Sequence, residues 1–244
     1  MNSIVPTILI LFLISLLASG VQRVSGFGFG IIVMTVFPYL MPSYGEATAL
    51  SGMLAIFTAL VPAIQHFRIV PWKKLLPILL TFLLVSFFAV ELVRQVDSRS
   101  LKHVLGVVLI FISIYFFVFS ERIHIKPTVP VQIGLGSLSG LMGGLFAMQG
   151  PPAVIYFISS TYDKEEYIAL TQWYFLVGNT MMTLFRARAG LVTATVLQSW
   201  AIALPAVILG LWLGSKLFKR IRIRLLRKVV YAFLAVSGVV AIVL

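Results

Sequence analysis

The chain has 244 residues, of which 60% are hydrophobic and only 11% charged, with a mean hydropathy of +1.07. A soluble domain keeps roughly a quarter of its residues charged, and the deficit here runs the whole length, so the reading is one membrane domain over 1–244 with no separate soluble module. The net charge of +12 comes from 19 Lys and Arg set in short stretches between apolar runs, which is how membrane loops are charged and not how a nucleic-acid surface is built; with no Cys there is no disulfide, thiolate nucleophile or Cys-based metal site.

The first apolar run, Ile4 to Leu17, is followed by the small residues Ala18-Ser19-Gly20, the outline of a signal peptide. Only Met1-Asn2-Ser3 precede it and none is basic, so it reads as a retained membrane segment. A helix needs about 20 mostly apolar residues to cross the hydrocarbon layer. Full-length candidates follow in order near 4–22, 46–66, 72–92, 103–120, 129–148, 166–185, 191–214 and 228–244. Two shorter apolar pieces, near 27–41 and 150–160, directly follow the first and fifth of these, separated by Gly- or Pro-containing breaks and not by charged loops.

The recurrence suggests a duplication. A shift of 120 positions lays Ser19-Gly20 on Ser139-Gly140, Gly30 on Gly150, Glu46 on Glu166, Ala49-Leu50 on Ala169-Leu170 and Arg68 on Arg188. A shift of 125 lays Leu101-Lys102-His103-Val104 on Leu226-Arg227-Lys228-Val229. If each broken segment crosses once, the halves are parallel and the Lys and Arg divide eleven against seven. If each turns back, the halves are inverted. One side then collects Arg68, Lys73, Lys74, Arg122, Lys126, Lys164 and the seven from Lys216 to Lys228, thirteen against five with Arg23 left in the break. Orientation by Lys/Arg bias favours the second arrangement, with both termini outside. The expected fold is all-α: a polytopic membrane protein of two related, inverted repeats, 1–122 and 123–244, each with a broken first helix.

Loose backbone inside a bilayer must line a cavity or be buried in protein, and paired breaks in corresponding halves point to a carrier's binding site. The first break is Ser25-Gly26-Phe27-Gly28-Phe29-Gly30; the second is Met148-Gln149-Gly150-Pro151-Pro152. Alternating Gly lets the backbone bend, and Pro is tolerated where a helix begins. Both therefore read as starts of half-helices, whose free N–H groups and partial positive charge suit an anion. The candidate substrate-binding residues are Gly26, Phe27, Gly28, Phe29, Gly30, Gln149, Gly150, Pro151, Pro152 and Asn179. For the glycines, close helix packing is the competing explanation. Gln149 and Asn179 can donate to an oxyanion or to a neighbouring helix, and Gln172 lies seven residues before Asn179 on the same face. Arg23 reads as an interfacial side chain, and Arg186 and Arg188 as loop charges. His66 and His103 form no metal constellation with each other.

No catalytic arrangement emerges, and an enzyme is not expected. All seven acidic residues lie at or beyond segment ends, whereas a mid-membrane proton relay needs carboxylates or His there.

At Gly140-Leu141-Met142-Gly143-Gly144-Leu145-Phe146 and then Gly150-Pro151-Pro152-Ala153-Val154-Ile155-Tyr156 the chain resembles the TauE/SafE family of sulfite-exporter-like permeases. The likeness extends to Ser25–Gly30, Gly178-Asn179 and Leu209-Gly210-Leu211-Trp212-Leu213-Gly214, covering nearly the whole chain. It implies two related membrane modules and movement of sulfite, sulfonates or similar small organic anions. The family's Gly-x-Gly-Gly-Pro-Pro reads here Ala147-Met148-Gln149-Gly150-Pro151-Pro152, a departure that bears on close backbone approach to the ligand and on substrate choice.

The expectation is a secondary transporter for small anions in a bacterial inner (plasma) membrane. It would need no cofactor, metal or nucleic acid, its partners would be the anionic substrate and the bilayer, and its apolar exterior is compatible with a homo-oligomer. A carrier for a neutral or cationic solute such as an amino acid would show mid-membrane carboxylates. A non-transporting scaffold would use the breaks only for packing.

Overall fold

A computed structural model describes residues 4–119, 128–161, 163–216, 235–236 and 238–243. These are helical throughout, with no strand among them. In chain order the helices are α1 (Ile4–Ser25), α2 (Phe29–Val33), α3 (Phe37–Leu40), α4 (Tyr44–Gln65), α5 (Trp72–Gln95), α6 (Ser98–Phe119), α7 (Val129–Phe146), α8 (Gly150–Ser160), α9 (Lys164–Arg188) and α10 (Ala194–Lys216), and residues 238–243 are helical again. Six of these, α1, α4, α5, α6, α7 and α10, are long and apolar enough to cross a membrane. At 25 residues α9 is as long but more polar, and it is covered by α4, α5 and α8. The expected eighth segment, 228–244, and the charged stretch after Lys216 fall largely outside the described residues, as do Arg122 and Lys126.

Local chemistry sets the starts of α4 and α9. Ser43 caps α4 by accepting from the Glu46 N–H at 3.2 Å, and its hydroxyl donates to Glu46 Oε2 at 3.1 Å. At the corresponding place Asp163 accepts from the N–H groups of Glu165 and Glu166 at 3.1 and 3.2 Å. The apolar piece 27–41 is not one half-helix as expected. It divides into α2 of five residues and α3 of four, with the turn Met34–Val36 between them and Pro38 in the first turn of α3.

Small residues set the pairing and direction of the long helices. A Cβ on Gly136 would meet Ile78 and Thr81, one on Gly140 would meet Phe82 and Val85, and one on Gly144 would meet Ser86 and Ala89; α7 and α5 therefore run parallel in close contact. Gly210 lies against Leu16 and Ser19, and Gly214 against Gly20 and Arg23, so α10 and α1 also run parallel. By contrast α4 and α9 are antiparallel, since Gly52 lies beside Thr183 and Arg186 while Trp173 Nε1 donates to the Ala63 carbonyl at 2.8 Å. Gly106 on α6 and Gly238 approach each other's carbonyls, and Gly238 also meets Ile110, again antiparallel.

Two apolar cores result. One gathers residues of α1 to α4, α6 and α10; the other gathers α5, α8, α9 and the end of α4. Phe27, in the non-helical stretch between α1 and α2, packs against both.

Candidate functional site

The chain leaves helix between Ser25 and Phe29 and again between Phe146 and Gly150. In the first stretch Gly26 (φ +82°) and Gly28 (φ +107°) adopt left-handed backbone that other residues take only with strain. The Gln22 side chain reaches across this stretch, and its Oε1 accepts from the Phe29 N–H at 2.9 Å. In the second stretch Ala147 takes the left-handed conformation (φ +57°). The Ala147 N–H donates to the Gly143 carbonyl at 3.0 Å and the Met148 N–H to the Met142 carbonyl at 3.1 Å, a Schellman-type end to α7. Helix α8 then begins at Gly150 with both prolines in its first turn.

These two stretches touch. A Cβ placed on Gly30 would sit 2.2 Å from the Ala147 carbonyl oxygen, so only glycine permits the approach. Between them lies a cavity of about 30 Å³ lined by Gln22, Gly28, Phe29, Gly30, Ile31, Ala55, Ala147, Met148, Gln149, Gly150, Phe175 and Asn179. Ala55 is near the middle of α4, and Phe175 and Asn179 are near the middle of α9, which places the cavity halfway along the crossing helices. Its size admits a water or two.

Of the sequence-predicted residues, Gly28, Phe29, Gly30, Gln149, Gly150 and Asn179 line this cavity. Phe27 flanks it, its ring edge 3.7 Å from where a Cβ on Gly150 would lie. Gly26 faces a second space, and its carbonyl accepts from Gln172 Nε2 at 2.9 Å. Pro151 and Pro152 are buried and do not line the cavity. The expected array of bare amides is reduced for a physical reason: the Phe29 N–H is taken by Gln22, and the two prolines have no N–H. The polar side chains among its lining residues are the amides of Gln22, Gln149 and Asn179. Gln149 Oε1 is buried and makes no hydrogen bond among the described residues.

The second space is a larger vestibule of about 470 Å³. Gln22 borders both it and the cavity, and Gly26, Thr58 and Gln172 line its inner part. Arg23, His66 and Lys164 line it towards the end of α4 and the start of α9. Arg23, expected only at the interface, therefore faces this vestibule.

Arg186 corrects a sequence expectation more sharply. It is not a loop charge; it lies within α9 and is 0% exposed. Its Nη2 donates to the carbonyls of Gly143 at 2.8 Å and Gly144 at 3.3 Å, in the last turn of α7. No carboxylate forms an ion pair with it among the described residues. Arg188, by contrast, is exposed and sits over the Phe87 ring at 5.3 Å. Gln172, Asn179 and Arg186 are spaced by seven, so the polar face noticed from Gln172 and Asn179 extends one step further. Gln22 was also missed from sequence; its signal is a lone amide seven residues before Phe29, inside an apolar run.

Over residues 11–241 the sequence matches the family described as "Sulfite exporter TauE/SafE". The chain belongs to that family. A TauE/SafE relative from Cupriavidus necator, described as a "Probable sulfite/organosulfonate exporter TauE", is 25% identical over 204 residues, covering 80% of this chain and 78% of its own. No solved structure matches. TauE/SafE membership and the apolar helices together make this an integral, multi-pass membrane protein of a transporter family. Ala147, where the chain departs from the pattern it resembles, falls on the left-handed residue of the α7 end.

Proposed function

We propose that this chain is a secondary carrier for a small oxyanion, of the sulfite or sulfonate class, and that the cavity between the two helix interruptions is its binding site. The observation that carries the reading is the character of the route into that cavity. Cationic Arg23 and Lys164 stand at the vestibule, amides of Gln22, Gln149 and Asn179 stand at the cavity, and no carboxylate among the described residues lines either space. A cation site would need the reverse. A desolvated oxyanion is held well by amide N–H donors, because each hydrogen bond to a charged group is stronger than a neutral one.

The antiparallel run of α4 and α9 supports the inverted-repeat reading, since these are the second full segments of the two halves and parallel repeats would run them together. The swapped pairs α1 with α10 and α7 with α5 fit the same relation, with each half's first segment on the other half's third. Halves 1–122 and 123–244 would then rock against each other around the central cavity, opening it to either face. The vestibule lies on the side of Lys164 and the α4–α5 connection, the Lys/Arg-rich side, which orientation bias places in the cytoplasm of a bacterial inner membrane.

The test is flux in proteoliposomes containing the purified protein. Radiolabelled sulfite and methanesulfonate are each expected to cross with saturable kinetics and to compete with one another. Saturable transport of neutral amino acids with none of either anion would refute the assignment.

A further inference from the structure

The side of the cavity opposite the vestibule is closed, and the groups that close it are unusual. Arg186 Nε and Nη1, Tyr44 OH, Ser51 Oγ and Thr183 Oγ1 are all buried and make no hydrogen bond among the described residues. They belong together. A Cβ on Gly52 would lie 2.8 Å from Arg186 Nη1 and 3.4 Å from Thr183 Oγ1, and a Cβ on Gly30 would lie 3.7 Å from Ser51 Oγ. Tyr44 is fully buried at the start of α4, the helix that carries Ser51 and Gly52. The cluster thus runs from Ser51, which lies against the cavity-lining Gly30, to Arg186, about 10 Å beyond Asn179 along α9.

A buried guanidinium that serves only as a clamp has all its nitrogens engaged or a carboxylate beside it, because a charge without either is expensive to bury. Here one nitrogen clamps the end of α7 and two are unspent. The repeat register adds an independent argument. The shift of 120 residues carries His66 onto Arg186, Gln172 onto Gly52 counted back from the second half, Lys164 likewise onto Tyr44, and Arg23 onto Gly143. Every one of the first members lines the open vestibule. Their counterparts are Arg186, the Gly52 and Gly143 that it lies against, and Tyr44 on the same helix as Gly52.

We infer that Arg186, with the hydroxyls of Tyr44, Ser51 and Thr183, forms a second oxyanion subsite on the sealed side of the cavity, which receives the substrate as the carrier turns to its other face. This rests on the anion-carrier reading above. The subsite supplies the full positive charge that the amide-lined cavity lacks, and its hydroxyls donate to the remaining oxygens of a pyramidal or tetrahedral anion.

Tyr44→Phe and Thr183→Val separate this role from a structural one, because each removes a hydroxyl that bonds to nothing in the described protein. A purely structural cluster predicts unchanged or raised melting temperature and wild-type flux. The subsite predicts wild-type melting in the absence of anion and sulfite flux lowered at least about tenfold in the double variant, the worth of one hydrogen bond to a charged group. It also predicts a smaller rise in melting temperature on adding sulfite. Arg186→Lys, which keeps the charge and loses the planar fork, should lower flux further. Wild-type flux in the double variant, or a loss of flux matched by a loss of anion-free stability, would overturn the subsite while leaving the carrier reading intact. Absence of sulfite and methanesulfonate flux in the wild type would instead overturn the carrier reading, and the subsite with it.

Discussion

Replacing Gly30 with Ala probes the contact on which the central cavity depends. The new Cβ would lie 2.2 Å from the Ala147 carbonyl oxygen, and the carbonyl carbon would be 3.3 Å away. Since the obstacle is backbone from the opposite interruption, no rotamer change relieves it, and the two stretches must separate by about an ångström. Overpacking of this kind costs about 1–3 kcal/mol. Alanine returns up to about 1 kcal/mol through helix propensity, an upper bound because α2 has only five residues. Because the obstacle is backbone, the upper part of that cost, about 2–3 kcal/mol, applies, and the net loss is about 1–3 kcal/mol, a fall in melting temperature of roughly 2–12 °C for a chain this size. Gly150→Ala is the matched control in the same cavity, because its Cβ would meet Phe175 and Phe27 at ordinary distances of 3.6 to 3.8 Å. Thermal unfolding of both purified variants, with sulfite flux in proteoliposomes, decides the matter. Gly30→Ala should lose stability and flux, and Gly150→Ala should keep its stability. Equal melting temperatures for Gly30→Ala and wild type would refute the claimed approach of the two interruptions.

Ala147→Gly should raise the melting temperature, since a left-handed alanine costs about 1–2 kcal/mol and the extra chain entropy of glycine recovers only part of that; a fall would show that the strain argument is wrong. Gln22→Leu should destabilise by about 1–3 kcal/mol by leaving the buried Phe29 N–H without its acceptor, and hydrogen exchange at the Phe29 amide should accelerate. An unchanged exchange rate there would remove Gln22 from the site.

Six of the eight expected apolar spans and both interruptions were legible because hydropathy and glycine–proline punctuation are local signals. The ends were less so. Helix α5 runs on through Arg94 and Gln95, past the expected limit at 92, and α1 runs to Ser25 past 22, because charged and polar residues extend a helix once its apolar part is anchored. The second interruption begins one residue earlier than read, at Ala147, and its Gly-Pro-Pro belongs to the first turn of α8. Sequence also treated the glycines of the two interruptions alike, although Gly30 is packed against backbone and Gly150 is not. That difference depends on what lies opposite, which only tertiary structure supplies. Arg186 was assigned to a loop because a charge at the end of an apolar run normally marks the membrane boundary. The spacing from Gln172 through Asn179 was the available contrary signal.

On the inverted-repeat reading, identical halves would present the same groups to both faces of the membrane, and the two halves here differ. The vestibule side carries exposed cationic groups at Arg23 and Lys164, where water screens them and they act at a distance to gather anions. At the related positions the sealed side has Gly143 and Tyr44, and its cation is Arg186, held out of water against the carbonyl end of α7, where the helix dipole favours positive charge. On the proposed carrier reading, one face would attract anions and the other would hold a charge ready at short range. On the inverted-repeat reading proposed above, divergence between the halves would have altered the charges while keeping the N-caps of α4 and α9 and the swapped helix pairs. Such a pattern follows if packing must serve both halves equally and the electrostatics of entry and exit need not.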